Sequence, residues 1–327
     1  MSSLPSATAV RILAVIVLYQ STPARSRSLE SLQEAFAHLS PGLVDLQILL
    51  YDNTPGGQDP GPLPAGIDYK ADIQNSGLAA AYNYALELAH QGGFEWLLTL
   101  DQDTSLPADF LVKLCPAAAY AASLDSVAAI VPCLFGGGRA MSPWIRKWYW
   151  IRPTRIPEGF IGVAQGRVFA ANSASTLRVS ALQAIGGYDP RFYLWASDLV
   201  LYSCLHKSGF RIFVAGHIHV EHEASILDLK HRSTPQRYED MLRADEAFFD
   251  EFTGRADRAV WLLMTLHRLV FRIWTTGGGF AHFKIALTFL CRGLFCSRRR
   301  RMASWRRFVE RRCPASQAVP DSCLLIP

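Results

Sequence analysis

The fold class is best approached from an apolar run that ends in two acids, Leu97-Leu98-Thr99-Leu100-Asp101-Gln102-Asp103. The apolar run predicts a buried strand, because strands covered on both faces carry near-continuous hydrophobic sequence. Asp101 and Asp103 follow at i and i+2, so their carboxylates project to the same side. Two acids there are costly unless they meet a cation such as Mg²⁺ or Mn²⁺, which uses carboxylate and phosphate oxygens. A turn with a helix N-cap is the other interpretation, and the motif alone does not separate the two.

Strand-like and helix-like segments alternate around this stretch. Apolar, β-branched runs predict strands at positions 10–19, 44–51, 67–73 and 94–100. Helical periodicity and Ala-rich sequence predict helices at 26–39 and 79–90. This alternation predicts an α/β fold with a mostly parallel sheet flanked by helices. In such sheets ligands bind at the carboxyl ends of the strands.

Polar clusters stand at those strand ends. Tyr19 closes the first strand and Asp52-Asn53 closes the second. Asn75-x-Gly77 precedes the helix that contains Asn83, where the helix N-terminus could face a phosphate or a ring. Each cluster is weak alone, since Asn and Asp are common in turns. Together with the acidic motif they predict a binding site.

The following region is less regular. The stretch 127–155 is rich in Gly, Pro and Trp and gives no clear assignment. Strand is predicted at 163–178, a short helix at 180–185, a helix at 199–208 and a strand at 210–220. His217, His219 and Glu221 would share one face of that last strand and could bind zinc, but no cysteine motif accompanies them.

The chain changes character after about residue 225, which predicts two parts, 1–225 and 226–327. Stretches 261–274 and 280–295 predict helices with a narrow polar stripe and a wide apolar face. They carry charges and are short for a membrane span, so we expect them to lie in a membrane interface. The segment 292–312 concentrates arginines within a chain of net charge +5. Anionic lipid is the favoured partner because no nucleic-acid motif is present, while a plain solvated tail stays open.

Composition narrows the class further. Hydrophobic residues make up 50% of the chain and charged residues 19%, which excludes a disordered protein. The seven cysteines are scattered and odd in number, and no CxxC occurs. This pattern predicts a reducing, cytoplasmic compartment without a disulfide framework.

Asp52-Asn53, Asn75-x-Gly77 with Asn83, and Asp101-Gln102-Asp103 occur in an order that resembles family 2 glycosyltransferases. The Leu-Asp-Gln-Asp form looks most like the bacterial rhamnosyltransferase branch. Positions 172–178, 185–189 and 191–210 are similar to the family's acceptor-side segments, and 231–238 to the branch's C-terminal segment. The resemblance covers roughly residues 9–240.

The resemblance implies a GT-A-like domain over 1–225, and the residue pattern predicts a helical, basic, membrane-associating segment over 226–327. It implies an inverting transfer of a sugar, L-rhamnose from dTDP-L-rhamnose, to a lipid-linked saccharide in surface polysaccharide biosynthesis. The enzyme would need Mg²⁺ or Mn²⁺ and would work as a peripheral protein on the inner face of the cell membrane, without nucleic acid. The implied nucleotide-sugar-binding residues are Tyr19, Asp52, Asn53, Asn75, Gly77, Asn83 and Asp101. The implied metal ligands are Asp103, Asp101 and His222, and the implied general base is Asp198.

Three positions depart from the family pattern. Gln20 stands where asparagine usually follows the first strand, Val200 where a second acid usually follows the base, and Cys204 where an arginine is usual. They motivate one alternative, a degenerate member that binds nucleotide or lipid without turnover. A second alternative is a phosphatase of the haloacid dehalogenase type, since Asp101-Gln102-Asp103-Thr104 matches its nucleophile motif, although that motif normally opens its domain.

Overall fold

The computed structural model describes residues 9–146, 154–222, 234–275 and 277–312. Its strands are β1 (Val10–Leu18), β2 (Val44–Asp52), β3 (Ile67–Ala71), β4 (Trp96–Asp101), β5 (Thr104–Ser105), β6 (Val127–Gly136), β7 (Arg139–Ser142), β8 (Trp144–Arg146), β9 (Thr154–Arg155), β10 (Ile161–Val163), β11 (Arg167–Phe169), β12 (Ser175–Arg178) and β13 (Arg211–His222). Its helices are α1 (Arg27–Ala37), α2 (Leu78–Gln91), α3 (Phe110–Ala122), α4 (Val179–Ala184), α5 (Ser197–Lys207), α6 (Pro235–Phe252), α7 (Arg255–His267), α8 (Phe280–Phe295) and α9 (Arg298–Arg312). A 3-10 turn (Pro23–Arg25) precedes α1, and a π-helical turn (Arg268–Arg272) and a short helical turn (Ile273–Thr275) extend α7.

The main sheet has the order β10-β13-β6-β12-β4-β1-β2-β3. β3, β2, β1 and β4 are parallel, and β6 is parallel to β13. β12 is antiparallel to both β4 and β6, so β6 and β13 run in the direction of β4. β5 and β10 pair antiparallel with β13, and β7 pairs antiparallel with β6. The predicted α/β class with a mostly parallel sheet is confirmed.

The strand register brings the polar strand ends to one edge. Leu18 pairs with Asp52 on β2, and Val17 pairs with Asp101 on β4. β13 reaches the same edge, because its last residue His222 pairs with Thr104 of β5. Four strands therefore end together where parallel sheets bind ligands.

Alternation along β1 directs its side chains into two cores. Ile12 and Ile16 pack with residues of α1 and α3 on one face of the sheet. Leu13 and Val15 pack with α2, α5 and the C-terminal helices on the other. Successive strand side chains point to opposite faces, so the sheet is covered on both sides. Each fully buried aliphatic side chain stabilises the fold by about 1.5–3 kcal/mol.

The C-terminal helices belong to the second of these cores. They contribute four buried aromatic residues to the core that also contains buried residues of β1 and α2. These aromatic residues are Phe248, Trp261, Phe289 and Trp305. Ion pairs also cross to the α/β part, from Arg191 to Glu251 at 2.9 Å and from Arg146 to Asp257 at 2.7 Å. The predicted boundary at 225/226 lies in segment 223–233, outside the described residues. Residues 298–312 form a helix in which Arg301 and Trp305 are buried, while Arg298–Arg300, Arg306 and Arg307 are exposed.

Two further assignments change. The single strand predicted at 163–178 is wrong: β11 and β12 lie in different sheets, separated by a turn at 172–174 in which Ala174 has a φ of 60°. The unassigned region 127–155 contains β6, β7 and β8, and β9 begins at Thr154. Among the described residues, no helix combines the length and apolar character needed to cross a bilayer.

Candidate active site

Asp101, Asp103 and His222 converge at the carboxyl edge of the sheet. Asp101 ends β4, Asp103 lies in the turn to β5, and His222 ends β13. His222 Nε2 lies 3.8 Å from Asp101 Oδ2, and His222 Nδ1 lies 3.6 Å from Asp103 Oδ1. One ligand atom from each residue lies within 4.8 Å of the other two. The structure thus brings together the three residues predicted as metal ligands.

Hydrogen bonds from serine and threonine hydroxyl groups hold this cluster in place. Ser28, on the first turn of α1, donates to the Thr104 carbonyl oxygen at 3.0 Å and also contacts the Asp101 carbonyl oxygen. The Thr104 hydroxyl lies 2.5 Å from Ser173 Oγ and 3.1 Å from His222 Nδ1. These contacts involve buried atoms, so they orient the turn and the imidazole ring before any ligand arrives. Sequence reasoning gave no site role to Ser28 or Ser173, although Ser173 lies in the stretch 172–178 that resembles an acceptor-side segment.

The charge of the cluster is poorly compensated. Burial raises the pKa of Asp101, His222 opposes that shift, and the carboxylate of Asp103 adds to it. Among the described residues, no lysine or arginine forms an ion pair with Asp101 or Asp103. Two carboxylates and an imidazole nitrogen, all partly open to solvent, form a donor set that fits a divalent cation with room for further oxygen ligands.

Asp198, the implied general base, lies in the first turn of α5. Its carboxylate accepts a hydrogen bond from the Leu199 amide at 2.8 Å. Burial raises the pKa of Asp198 to about 6, backbone hydrogen bonds oppose the shift, and the charges of Asp245 and Asp101 add to it. A carboxylate with a pKa near neutrality is suited to accept a proton at physiological pH.

Tyr82 lies beside Asp101 and was not predicted from the sequence. Its buried hydroxyl lies 3.5 Å from Asp101 Oδ1. Burial raises the pKa of Tyr82, and the charges of Asp101 and Asp198 raise it further. Tyr82 therefore stays protonated and can donate a hydrogen bond toward Asp101.

The residues predicted to bind the nucleotide at β1 and β2 have different environments. Tyr19 is 41% exposed, and its backbone amide donates to Gln102 Oε1 at 2.8 Å. Asp52 is fully buried and accepts hydrogen bonds from the Thr54 amide at 2.9 Å and the Tyr69 hydroxyl at 2.5 Å. Asn53 is also buried, and its Oδ1 has no hydrogen-bond partner among the described residues. An unpartnered buried oxygen is costly to the fold.

Gly77, which immediately precedes α2, and Asn83 on α2 both contact the backbone of other segments of the protein. Gly77, with a φ of 93°, begins the helix, and a Cβ there would lie 2.4 Å from the Tyr193 carbonyl oxygen, so only glycine allows this approach. That carbonyl oxygen accepts from the Ala79 amide at 3.3 Å, so the protein itself occupies one of the first helix donors. Asn83 exchanges two hydrogen bonds of 2.8 Å with the backbone of Tyr188. The side chain of Asn83 thus positions the Gly186-Gly187-Tyr188 turn.

Residues with strained, left-handed backbone conformations lie at the carboxyl edge of the sheet. Within the described ranges, four non-glycine residues have positive φ angles, namely Gln20 (51°), Asn75 (54°), Ala174 (60°) and Ala196 (59°). They follow β1, follow β3, precede β12 and precede α5. Such conformations cost roughly 1–3 kcal/mol each and concentrate at functional sites. The departures Val200 and Cys204 instead face the core, where both are buried.

Two other candidate sites do not coincide with the acidic cluster. A cleft of about 620 Å³ opens beside α2, with Lys70, Asp72, Asn83 and Tyr84 in its lining. Its lining contains none of Asp101, Asp103, His222 and Asp198, so geometry and charge mark the site better than cavity volume does. The possible zinc group on β13 is not assembled: among the described residues, the one group of three potential metal ligands is Asp101, Asp103 and His222.

Comparison with known proteins gives a structural match without a sequence match. No family model matches the chain, and no curated protein sequence matches it. TarS of S. aureus superposes with a TM-score of 0.52 at 13% identity over 92% of this chain and 55% of its own. The shorter TarS 1-349 gives the same TM-score and identity over 93% and 92% of the two chains. GalNAc-T7, solved with UDP, GalNAc and Mn²⁺, gives 0.51 at 12% identity over 94% and 59%.

The chain has the GT-A glycosyltransferase fold. At 12–13% identity the likeness concerns the fold alone, and the chain spans little more than half of the TarS and GalNAc-T7 chains in two of the three matches. Within the GT-A fold, the acidic motif follows β4, after two strand–helix units. The phosphatase alternative is not favoured, because its nucleophile motif normally opens the domain.

Proposed function

We propose that this protein is a metal-dependent, inverting glycosyltransferase that uses a nucleoside diphosphate sugar. The observation that carries the proposal is the convergence of Asp101, Asp103 and His222 at the carboxyl edge of a GT-A sheet. The presence of UDP and Mn²⁺ in the GalNAc-T7 structure supports it, as does the shared fold.

Asp103, Asp101 and His222 would hold Mg²⁺ or Mn²⁺. When bound, such an ion neutralises the charge that develops on a diphosphate leaving group. The uncompensated charge of the two carboxylates favours cation binding, and the Thr104 hydroxyl fixes the orientation of His222. Tyr19, Asp52, Asn53, Asn75, Gly77 and Asn83 would form or support the nucleotide-sugar side.

Asp198 would take the proton from the acceptor hydroxyl. Inversion needs one base on the side of the sugar opposite the leaving group, and Asp198 approaches from α5 rather than from β4. Its pKa of about 6 leaves the carboxylate mostly ionised at pH 7 yet basic enough to accept a proton.

The finer assignment rests on sequence resemblance. We propose membership of family 2 in the rhamnosyltransferase-like branch, with dTDP-L-rhamnose as donor and a lipid-linked saccharide as acceptor. The reaction would belong to surface polysaccharide biosynthesis, and the protein would act in the cytoplasm as a peripheral protein on the inner face of the cell membrane.

Thermal stabilisation by nucleoside diphosphates, with and without Mn²⁺ or Mg²⁺, tests the proposal. A ligand at 100 times its Kd adds about 2.7 kcal/mol, which raises the melting temperature of a protein of this size by roughly 5 °C. We expect a shift with dTDP or UDP that needs metal and is absent in Asp103→Ala. Asp109→Ala removes an exposed carboxylate on the same segment, paired with Lys113, and should retain the shift.

Each contrary outcome has a defined meaning. A shift that persists without metal, or in Asp103→Ala, refutes the metal assignment. The absence of any shift across the panel leaves the fold intact but favours the degenerate member.

A further inference from the structure

The C-terminal helices expose an unusual amount of apolar surface. On α7 and its π-helical extension the outward side chains are Leu263, Leu266, Val270 and Phe271, and on α8 they are Phe280, Leu287, Leu294 and Phe295. Their exposure ranges from 40% for Leu287 to 82% for Phe295. We call these eight residues the apolar face. Contiguous patches of large apolar side chains are rare on soluble monomers and mark interaction sites.

Packing between α7 and α8 fixes the apolar face outward. The opposite sides of both helices are already buried, through Trp261 and Leu269 on one helix segment and Phe289 on the other. Gly293 brings the helices so close that a Cβ there would lie 2.4 Å from Leu262 Cδ2. Neither helix can rotate its exposed residues inward without losing this contact.

The charged residues in the sequence segment that carries the apolar face have one sign. From residue 258 to residue 309 the sequence contains no Asp or Glu but eleven Lys and Arg residues. Four of the arginines are used internally: Arg258 and Arg301 pair with Asp250, Arg268 with Asp245 and Arg292 with Glu246. Six others of the eleven are exposed, namely Lys284, Arg298, Arg299, Arg300, Arg306 and Arg307.

We propose that the apolar face and its six exposed cations dock this protein on an anionic lipid bilayer. Interfacial helices bury an apolar face at the boundary of the acyl chains while basic residues contact anionic headgroups, and both components are present here. Charge complementarity selects the occupant, because a purely apolar partner would leave the cations uncompensated. The docking is independent of the proposed transferase activity, and only its use to present a lipid-linked acceptor rests on that activity.

Vesicle flotation of the full chain tests the proposal without an activity readout. We expect binding to vesicles that contain phosphatidylglycerol, weaker binding to pure phosphatidylcholine, and a decrease in binding as salt rises. Equal binding to both vesicle types at all salt concentrations, or no binding to either, overturns the proposal.

Two sets of variants separate the components. Replacing Arg299, Arg300 and Arg307 by Gln should reduce partitioning onto anionic vesicles on the order of 100-fold, at about fivefold per arginine. Replacing Phe280, Leu294 and Phe295 by Ser should reduce it at least about 10-fold. All six side chains are exposed, so circular dichroism should remain unchanged.

Matched controls use similar residues elsewhere on the surface. Arg25, Arg139 and Arg155 are exposed and serve as the arginine control, and Phe36, Leu43 and Tyr120 serve as the apolar control. Both controls should bind as the parent does. If they lose as much binding as the test variants, the effect is nonspecific and the proposal fails.

Other occupants give distinct results. Arginine-dependent binding to nucleic acid without vesicle binding identifies a polyanion site and overturns the proposal. Dimers in light scattering that disappear in the apolar variant, again without vesicle binding, identify an interface between copies of this chain.

Discussion

Carboxylates at the carboxyl edge of the sheet and carboxylates among the C-terminal helices are neutralised in different ways. At the edge, the only basic side chain among the described residues within 4 Å of the Asp101 and Asp103 carboxylates is His222. In the helices, Asp250 accepts hydrogen bonds of 2.7 and 2.6 Å from Arg301, and Glu246 accepts one of 2.6 Å from Arg292. Burial raises the carboxylate pKa in both regions, but only the helices supply arginines that lower it again. Charge that a fold leaves uncompensated is available for function, whereas charge that it pairs stabilises one packing arrangement.

The largest effect expected from this difference is on turnover. Asp198→Asn should reduce kcat by roughly 10³-fold, because general-base catalysis contributes 10²–10⁴-fold, while donor binding persists. In the parent, the rate should rise with pH and level off above about pH 6, as Asp198 loses its proton. Steady-state kinetics against pH with the identified donor measure both.

The contrast with Asp109→Asn, an exposed carboxylate paired with Lys113, isolates the role of position. Normal turnover by Asp198→Asn, or an unchanged acid limb of its pH profile, would show that the edge acid is not the base.

A comparably large effect on stability should come from the paired region. Arg301→Met should lower the free energy of unfolding by about 3 kcal/mol, because it leaves Asp250 and Glu246 buried with less compensation. Urea denaturation checks the value. Arg300→Met, an exposed neighbour on the same helix, should change it by less than about 0.5 kcal/mol. Equal effects of the two substitutions would remove the distinction between paired and exposed arginines.

A smaller effect should separate His222 from His219, two of the three histidines of β13. His222→Ala should weaken Mn²⁺ binding at least about 10-fold, because it removes one of three assembled ligands. His219→Ala, three residues earlier and exposed, should bind as the parent does. Titration of Mn²⁺ by electron paramagnetic resonance measures the affinities, and equal affinities for parent and His222→Ala contradict the ligand set.

The smallest effect has the opposite sign. Because burial raises the pKa of Asp198 to about 6, the folded protein holds a proton between about pH 4 and pH 6 that the unfolded chain releases. Stability is therefore lost as pH rises through this window. Asp198→Asn should raise the free energy of unfolding at pH 7 by about 1–2 kcal/mol, with no gain at pH 4. Denaturation of the metal-free protein at the two pH values checks this; a loss of stability at pH 7 would mean that Asp198 is compensated.

Local sequence was sufficient for the first half of the fold. The run at β1 spans positions 10–18 against a prediction of 10–19, and α2 spans 78–91 against 79–90. These elements are specified by apolar period and composition, which are properties of neighbouring residues. The single strand predicted over 163–178 was wrong, because Ala174 adopts a left-handed backbone conformation in a turn between β11 and β12. The two strands belong to different sheets.

The candidate site was partly predictable for the same reason. Asp101 and Asp103 are two positions apart, so their shared orientation follows from strand geometry. The contact between Thr104 and His222 joins residues 118 positions apart, and residue patterns along the chain do not specify it. His222 and Asp198 entered the prediction through family resemblance.

Residue order is enough to predict an α/β chain with acids after a buried strand and an arginine-rich, apolar C-terminal part. Which charges are compensated depends on contacts that form only in the folded protein. Burial and the approach of distant groups set the pKa of Asp198, bring His222 to the two aspartates, and assign Arg292 and Arg301 to internal pairs while leaving Arg298–Arg300 exposed. The physical reason is that electrostatic energy depends on distance and solvent exposure in the folded state, and sequence separation fixes neither.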